Sequence, residues 1–457
     1  MPAPIEDHAL LGDLSTAALV TRDGCIDWLC LPRFDSPACF AALLGGAEHG
    51  HWVLRPKGLV GKGRRRYRDG SLILETTYEL GSGKVRVIDF MPHDSESPSV
   101  VRIVEGLLGR VELEMELIIR FDYGREIPWV RRVGSALCAV SGPEALALYT
   151  PVETRGEKLT TVARFAVEAG KRIPFTLRSY FSHEEMPPPL DVERELARTE
   201  SRWREFSDHC TYRGPFRDAV RSSVVVLKGL TYAATGGVVA APTTSLPELI
   251  GGERNWDYRY CWLRDATFTL YALMLSGYRK EACAWRDWLL RAVAGTPSQM
   301  QIMYDVAGQR RLPELTLDWL PGYMGSKPVR TGNAAVTQRQ LDVYGEVMDA
   351  LYYAQKSGIA PEPFAWRVQR VLVSSLEALW KEPDAGLWEV RGTLQHFTHS
   401  KLMAWVAFDR AVKSIERFGA EGPVDTFRRL RSEVHREICA RGYDADLGAF
   451  TQAYGSK

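Results

Sequence analysis

The stretch "MPPPLDVERELARTESRWREF" (Met186–Phe206) marks a change in the character of the chain. Three consecutive prolines are followed by a charged run with helical spacing, and proline suits neither a central strand nor a helix interior. Residues 1–185 before it carry strand-like patterns, whereas residues 215–457 after it carry helical ones. We therefore predict two domains joined by a helical linker over residues 186–214.

The first 185 residues predict an antiparallel β-sandwich. In "TAALVTRDGCIDWLCLP" (Thr16–Pro32), Asp23 and Gly24 join two extended runs, which is a hairpin signal. The stretch Arg64–Pro92 repeats this pattern with turns of its own. Many short strands separated by frequent turns are typical of a sandwich and not of alternating strands and helices.

Beyond the linker, apolar residues recur with the 3.6-residue period of a helix. Phe216, Val220, Val224 and Leu227 fall on one helical face, for example. The pattern predicts helices over roughly residues 215–234, 265–277, 279–296, 334–357, 362–381, 398–417 and 422–441. The longest connection, residues 296–333, is rich in glycine and proline, and long loops between rigid helices often carry function.

The composition excludes several classes of function. The 457 residues carry 58 basic and 57 acidic side chains, a net charge of +1, so we expect no nucleic-acid or membrane partner. The basic run "KGRRRYR" (Lys62–Arg68) is interpreted as a solvated strand face. The eight cysteines have neither disulfide-framework density nor zinc-site spacing. With no apolar leader and no window of about 18 apolar residues, we expect a cytoplasmic protein with reduced thiols.

The first candidate site lies in "NWDYRYCWLRDA" (Asn255–Ala266), which holds two tryptophans, two tyrosines, two arginines and two aspartates. Asp265 stands near the start of a predicted helix, where orphan backbone amides favour a carboxylate. One interpretation is therefore a first-turn acid with Arg264 as its surface partner. The other is a sugar site, in which aromatic rings stack on the sugar and the Arg–Asp pair binds its hydroxyls.

The second candidate site is "LPGYMGSKPVRTGNAA" (Leu320–Ala335), a loop entering a predicted helix. Lys327, Arg330 and Asn333 supply hydrogen-bond donors along it. The alternative interpretation is that Asn333 caps the helix and the two cations are solvated.

The third candidate site lies in "DAGLWEVRGTLQHFTHSKLMAW" (Asp384–Trp405), where Glu389 follows Trp388 directly. An acid against an indole in an apolar pocket has its charged form disfavoured, so its pKa rises and it can act as a general acid. The alternative is a surface glutamate. His396 and His399 form an HxxH pattern without a third ligand, and helix packing or hydroxyl contacts are favoured over a metal.

Other motifs point away from cofactor chemistry. No phosphate loop, dinucleotide fingerprint or nucleophile elbow is present, so we expect neither cofactor nor metal. Thirteen tryptophans are more than cores usually need, and indole rings suit the C–H faces of sugars. Aromatic-rich loops with isolated carboxylates on a helical scaffold therefore indicate a carbohydrate ligand.

Taken together, the three stretches resemble glycoside hydrolase family 15, the glucoamylase, glucodextranase and bacterial trehalase-like family. The start "IEDHALLGDLSTAALVTRDGCIDWLCLPRFDSPACFAALL" (Ile5–Leu44) is similar to the N-terminal domain of its bacterial members. The resemblance implies a β-sandwich followed by an (α/α)6 barrel. It also implies inverting hydrolysis of an α-glucosidic bond, with β-glucose released from a non-reducing end.

The resemblance also implies roles for individual residues. It makes Glu389 the general acid and assigns the 4- and 6-hydroxyls of the released glucose to Arg264 and Asp265. The glutamate that follows the acid in fungal members is Val390 here, which puts fungal-type contacts to the leaving sugar in question. The remaining residues expected to bind substrate are Tyr258, Trp262, Lys327, Arg330, Asn333 and Trp388.

Inversion needs a second carboxylate roughly 6.5–9.5 Å from the first, so that a water fits between them. In the family this base lies in a segment beyond the position of Lys457, and the full barrel has twelve helices. We therefore expect an incomplete barrel, a C-terminally truncated member, and no turnover by the isolated chain. A phosphorylase on the same barrel and an inactive carbohydrate-binding fragment are the alternatives. Trehalose, maltodextrin and isomaltose-type substrates all stay open, as does the oligomeric state.

Overall fold

A computed structural model describes residues 2–93 and 97–457. The chain divides into two compact units. The first comprises Met1–Ala234, Ala241–Arg259 and Leu315–Thr331, and the second Thr235–Ala240, Tyr260–Glu314 and Gly332–Lys457. The first unit thus includes two segments from later in the chain, Ala241–Arg259 and Leu315–Thr331. The domain boundaries at residues 185 and 214 stay a prediction.

The first unit is built on antiparallel strands. Its large sheet contains β1 (His8–Gly12), β2 (Ala17–Thr21), β3 (Cys25–Cys30), β4 (Ala38–Phe40), β5 (His51–Pro56), β6 (Arg64–Tyr67), β7 (Leu74–Leu80), β8 (Gly83–Phe90), β9 (Ser99–Ile118), β10 (Trp129–Val133), β11 (Ala136–Ser141), β12 (Glu144–Tyr149), β13 (Arg155–Glu157), β14 (Thr160–Glu168) and β15 (Arg172–Phe181). The unit also contains the short turn α1 (Phe121–Gly124), helices α2 (Val192–Asp208) and α3 (Arg217–Gly229), and the small pairs β16 (Thr244–Pro247) with β17 (Asn255–Asp257) and β20 (Leu315–Thr316) with β21 (Arg330–Thr331).

Strand β9 connects the two halves of the large sheet. Its first half pairs with β8 and β15, and its second half pairs with β5 and β14. Buried side chains from both halves share one core, among them Trp52 and Leu117 from one half and Val104 and Leu177 from the other. Two halves enclosing one core is the arrangement of a sandwich, and the predicted antiparallel β domain is confirmed.

The helix of the predicted linker packs against the outer face of this sheet. Asp191 caps α2 by accepting a hydrogen bond from the backbone N–H of Arg194 at 3.2 Å. The buried face of α2 places Trp203 in a second cluster with Phe90 of β8 and Val225 of α3. Burial of an indole is worth several kcal/mol, so α2 is part of the folded first unit and not a free connector.

Part of the long predicted loop also belongs to this unit. Leu317, Leu320 and Val329 are buried together with Trp28 of β3. The Trp28 indole N–H donates to the carbonyl of Pro242 at 2.8 Å. A few buried apolar side chains therefore anchor this part of residues 296–333, whose glycine and proline content predicted a loop that carries function.

The second unit is helical. Its helices are α4 (Leu263–Leu275), α5 (Arg279–Val293), α6 (Asp342–Lys356), α7 (Ala365–Leu379), α8 (Thr398–Phe418) and α9 (Val424–Arg441), and its strands are β18 (Cys261–Trp262) with β19 (Met303–Tyr304) and β22 (Tyr443–Asp444) with β23 (Ala449–Phe450). Together with α3, these are the seven helices that the 3.6-residue period predicts, so the helical second region is confirmed. Closure of a barrel stays a prediction. In the parts of the chain that the structure describes, no helix combines the length and hydropathy needed to cross a membrane.

Helix α6 lies at the centre of this unit, between α4 and α8. Its backbone approaches α8 closely at Gly345, where a Cβ atom would lie 2.2 Å from the carbonyl oxygen of Met403. Such contact leaves no space for a side chain. The crossing of α6 and α8 therefore depends on glycine at this position.

Candidate active site

The short strand β18 and the first turn of α4 together place three of the predicted residues. Trp262 has an extended backbone at the N-cap of α4, and Arg264 and Asp265 follow in its first turn. The backbone N–H of Leu263 donates to Ile302 at 3.0 Å and fixes the strand-to-helix corner. The side chains of Trp262, Arg264 and Asp265 are thus presented from a rigid helix start.

The carboxylate of Glu389 meets two donors from this corner. The Trp262 indole N–H and the Arg264 guanidinium each lie 3.2 Å from the same oxygen, Oε1. The Glu389 side chain is 20% exposed. One of its oxygens is therefore held by the protein, and the other is available for a different partner.

Arg264 bonds to several groups around this carboxylate. Its Nη2 lies 3.2 Å from Oδ2 of Asp265, and its Nη1 also donates to the carbonyl of Leu387. The guanidinium carbon lies 5.5 Å from the ring centroid of Trp388, a cation–π distance. Arg264 therefore ties the start of α4 to the loop that carries Glu389.

Burial raises the pKa of Glu389 above its ordinary value, while the charge of Arg264 and the bonds from Trp262 and Arg264 act in the opposite direction. The sequence predicts that this rise comes from the indole of Trp388. The structure places that indole differently, since Trp388 is 71% exposed and faces the guanidinium. The indole that touches Glu389 belongs to Trp262.

The backbone of Glu389 is also unusual. Its φ angle is +49°, in the left-handed region that favours glycine. Such a conformation costs on the order of 1–3 kcal/mol for other residues and is found most often at functional sites.

Two buried acids that the sequence analysis did not single out stand near Arg264. Asp342 and Glu346 lie one turn apart on α6 and are 1% and 5% exposed. Burial and the neighbouring Asp384 raise the pKa of Asp342 to about 7. Burial and Asp342 raise the pKa of Glu346 well above its usual range. The available signal was the i, i+4 spacing of Asp342 and Glu346 in the run "LDVYGEVMDALY", which also contains Asp349.

Part of the aromatic and charged stretch serves the fold of the first unit. Asp257 and Arg259 form an ion pair at 2.7 Å, and both side chains are almost fully buried. The Arg259 guanidinium also donates to the carbonyl of Ser36 at 2.8 Å. Half of the charges in "NWDYRYCWLRDA" are thus engaged in structure.

The other residues predicted to bind substrate are distributed between the units. Tyr258, Lys327 and Arg330 belong to the first unit and Asn333 to the second, and their roles in binding substrate stay predictions. Lys327 is exposed and Tyr258 is half-buried.

Arg330 and Asn333 both make structural contacts. Arg330 donates to the carbonyl of Glu253 at 2.8 Å, and its guanidinium carbon lies 4.5 Å from the ring centroid of Trp256. The side chain of Asn333 accepts from the N–H of Ala335 at 3.0 Å and caps a short 3-10 helix. Capping is one of the two roles that the sequence predicts for Asn333.

The HxxH pair lies at the start of α8. The His396 ring stacks on Tyr454, with centroids 6.1 Å apart and planes 15° apart. Burial lowers the pKa of His399. Within residues 2–93 and 97–457, the structure shows no group of three or more His, Cys, Asp or Glu side chains that could hold a metal ion.

Similar proteins were found by sequence for both parts of the chain. The family model for Glycosyl hydrolases family 15 matches residues 214–457, and the model for a trehalase-like N-terminal domain matches residues 1–201. The chain is 38% identical to a trehalase of Mycolicibacterium smegmatis over 498 residues, covering 99% of this chain and 72% of that protein. It is 33% identical to a trehalase of Thermoplasma acidophilum, covering 96% of this chain and 76% of that protein.

A solved structure agrees with the fold. A bacterial glucoamylase complexed with acarbose superposes with a TM-score of 0.65 at 12% identity, covering 95% of this chain and 66% of that one. At that identity the likeness shows the fold alone. With the sequence matches, it leads to one conclusion: the chain belongs to family 15 of the glycosyl hydrolases and is a glycoside hydrolase.

Proposed function

We propose that this protein is an inverting, exo-acting hydrolase of α-glucosidic bonds and that trehalose is its preferred substrate. The observation that carries the proposal is the partly buried Glu389, whose Oε1 is held by Trp262 and Arg264. Relatives named trehalases that are 33–38% identical support trehalose over maltodextrin.

The hydrogen bonds at Glu389 indicate where its proton resides. Oε1 accepts from two N–H donors, so a proton on that oxygen would meet both of them. In the acid form, the proton is therefore carried by Oε2. We assign to Oε2 the transfer of this proton to the glycosidic oxygen as the bond to the leaving sugar breaks.

The charge left on Glu389 after this transfer is stabilised by Arg264, because a charge-assisted hydrogen bond strengthens as the acceptor becomes anionic. The side chain of Asp265 is 47% exposed, and its carboxylate has room to accept hydrogen bonds from two sugar hydroxyls. We propose that Asp265 and Arg264 bind the 4- and 6-hydroxyls of the terminal glucose. Such a fixed pocket end favours release of one glucose at a time.

Inversion also requires a carboxylate that activates water on the opposite face of the sugar. No residue of this chain is assigned to that role. Asp342 and Glu346 are almost inaccessible to solvent and are therefore poor candidates for binding the attacking water.

The test is to follow, by proton NMR, the products that the full-length protein forms from trehalose, maltose and isomaltose. From trehalose we expect equal amounts of β-glucose, formed from the sugar that water attacks, and α-glucose, the leaving sugar, and we expect trehalose to be consumed fastest. The control is Glu389→Gln, which retains the size of the side chain but cannot donate the acid proton. It should lower the rate on trehalose by about 10²–10⁴-fold. Formation of α-glucose alone from trehalose would overturn inversion, and glucose 1-phosphate formed only with added phosphate would favour a phosphorylase.

A second candidate function is carbohydrate binding without turnover. The observation that favours it is that the buried acids near Arg264, Asp342 and Glu346, are almost inaccessible to solvent and therefore poorly placed to activate a water. If the protein only binds carbohydrate, it should bind glucose, lose this binding in Asp265→Asn, and release no glucose from any of the three substrates. Calorimetric titration with glucose, run beside the NMR assay, separates the two functions.

A further inference from the structure

The loop that carries Glu389 is bonded along its length to Gln338–Leu341, the segment that leads into α6. We call these four residues the brace. The hydrogen bonds between them run from Arg339 Nη2 to Pro383 O (2.9 Å), Leu341 N to Asp384 Oδ2 (2.9 Å), Ala385 N to Arg339 O (3.1 Å), Gln340 Nε2 to Gly386 O (2.6 Å) and Gln338 Nε2 to Glu389 O (3.3 Å). We call the connection between α7 and α8, residues 380–397, the acid loop, and the brace contacts it from Pro383 to its tip at Glu389.

The start of the loop is held from another side by α8. Lys401 is completely buried, and its ammonium donates to the carbonyls of Trp380 and Glu382 at 2.5 and 2.6 Å. Asp384 and Gln395 exchange two backbone hydrogen bonds, at 2.9 and 3.0 Å, that close the loop at its base. The loop thus has a fixed base, and its tip is contacted by the brace.

The tip of the loop, Gly386–Glu389, contains two residues with positive φ angles. Gly386 has a φ of +72°, and a Cβ there would lie 2.6 Å from the ring of Phe397. Glu389 follows with its own positive φ. A non-glycine residue remains in this region only when its surroundings over-determine the backbone. The carbonyls on which the brace glutamines act belong to these two residues.

We propose that Gln340, assisted by Gln338, is a positioning residue for the general-acid step. Its side-chain amide holds the carbonyl of Gly386, and this fixes the direction in which the Glu389 side chain leaves the loop. The proposal rests on the proposed function of Glu389 as the acid. Gln340 is buried, so it acts on the reaction through the loop and not by touching the substrate.

Removing this hold has a specific consequence for catalysis. If the tip relaxes, Glu389 Oε2 no longer points at the glycosidic oxygen, and misplacement by about 1 Å can cost 10²-fold in rate. Binding of the terminal glucose depends on Arg264 and Asp265 at the start of α4, so it should persist. The expected signature is a lowered kcat with a nearly unchanged KM.

The variant to make is Gln340→Met, which retains the length of the side chain and removes the donor. We expect kcat on trehalose to fall about 10–100-fold while KM changes less than about twofold. On α-glucosyl fluoride, whose leaving group needs no protonation, the loss should be less than about threefold. If Gln340→Met does not fold, Gln338→Met removes the bond to the Glu389 carbonyl from a half-buried position.

The matched control is Gln369→Met. Gln369 is also a buried glutamine of the second unit, and its amide donates at 3.1 Å to Ala365, one turn earlier in α7. The control therefore makes the same chemical change away from the acid loop. It should leave the ratio of rates on trehalose and α-glucosyl fluoride unchanged.

A second readout does not depend on turnover. The indole N–H of Trp262 reports the hydrogen bond to Glu389, and its nitrogen-15 NMR signal can be identified by its loss in Trp262→Phe. In Gln340→Met we expect this signal to move towards its position in Glu389→Ala, which removes the acceptor. An unmoved signal, or equal losses on the two substrates, would overturn the positioning role. Absence of turnover in the wild-type protein would overturn the proposed function, and the indole signal alone would then decide the positioning role.

Discussion

The indole nitrogen of Trp262 lies 3.2 Å from Oε1 of Glu389, although the two residues are 127 positions apart. Trp262 is fixed by β18 and by the start of α4, whereas Glu389 is carried on a loop. The bond therefore fixes the position of the Glu389 loop relative to the start of α4. It also selects which carboxylate oxygen is left to act on a substrate.

The first prediction concerns the pH dependence of the acid. Burial raises the pKa of Glu389, and the Arg264 charge and the Trp262 bond lower it. Trp262→Phe removes one lowering influence, so the pKa should rise further and Glu389 should stay protonated to higher pH. The alkaline limb of the kcat profile on trehalose should then shift to higher pH. Trp288→Phe is the control, because the Trp288 indole donates at 3.2 Å to Val306 instead. An alkaline limb that stays in place would contradict this assignment.

The second prediction concerns the glucose hydroxyls. Asp265→Asn removes a charge-assisted acceptor, worth about 1.5–3 kcal/mol, so glucose affinity should fall about 10–100-fold. The melting temperature should change little, since a first-turn acid contributes only about 0.3–1 kcal/mol to a helix. Asp425→Asn, at the exposed first turn of α9, is the matched control and should leave glucose binding intact. A large loss of stability with normal glucose affinity would return Asp265 to a structural role.

The third prediction concerns stability against pH in the first unit. Asp13 is buried, and desolvation raises its pKa to about 7 from 3.8. The folded state therefore binds this proton more tightly than the unfolded state does. Its contribution to stability is complete below pH 3.8 and is lost as pH rises through 7.

Asp13→Asn tests this linkage. The amide oxygen can still accept the bonds that Asp13 Oδ1 receives from the N–H groups of Ser15 and Thr16, both at 2.8 Å. The free energy of unfolding of the variant, relative to that of wild type, should therefore be higher at pH 8 than at pH 4. The expected change is a few kcal/mol, since one pKa unit corresponds to about 1.4 kcal/mol. Urea unfolding at both pH values measures the difference. The same difference at both would show that Asp13 does not titrate in this range.

The fourth prediction concerns the crossing of α6 and α8. Alanine is favoured over glycine inside a helix by about 0.8–1 kcal/mol. At Gly345, however, the new Cβ would lie 2.2 Å from the Met403 carbonyl, and overpacking typically costs about 1–3 kcal/mol. Gly345→Ala should therefore lower the melting temperature. Gly392→Ala is the control, since the nearest atom to its Cβ, in Val390, lies at 3.6 Å. Equal melting temperatures for the two variants would show that the helices move apart without strain.

Periodicity was a reliable guide to the helices because burial of one face requires apolar residues every three or four positions. Val220, Val224 and Leu227 follow this spacing within α3, whereas Phe216 precedes the helix and is 70% exposed. A similar rule of alternation identified the strands before Met186. The position of Asp265 in a first turn also followed from local chemistry. These features depend on residues that are near one another in the chain.

Features that depend on distant residues could not be predicted in the same way. Asp257 and Arg259 look like Arg264 and Asp265 in the sequence, yet the first pair is buried and the second is not. The bond between Trp262 and Glu389 and the brace at Gln340 each join segments tens of residues apart. Spacing alone carries no information about which segments will meet.

The cluster around Trp28 has a consequence for how the protein is made. Its partners Leu317, Leu320 and Val329 are translated almost 300 residues later, about 15–60 s at 5–20 residues per second. During that interval the indole and its neighbours have no final packing. The strands of the N-terminal sheet supply its main core by themselves, but the surface around Trp28 stays without its final packing until the later segment arrives.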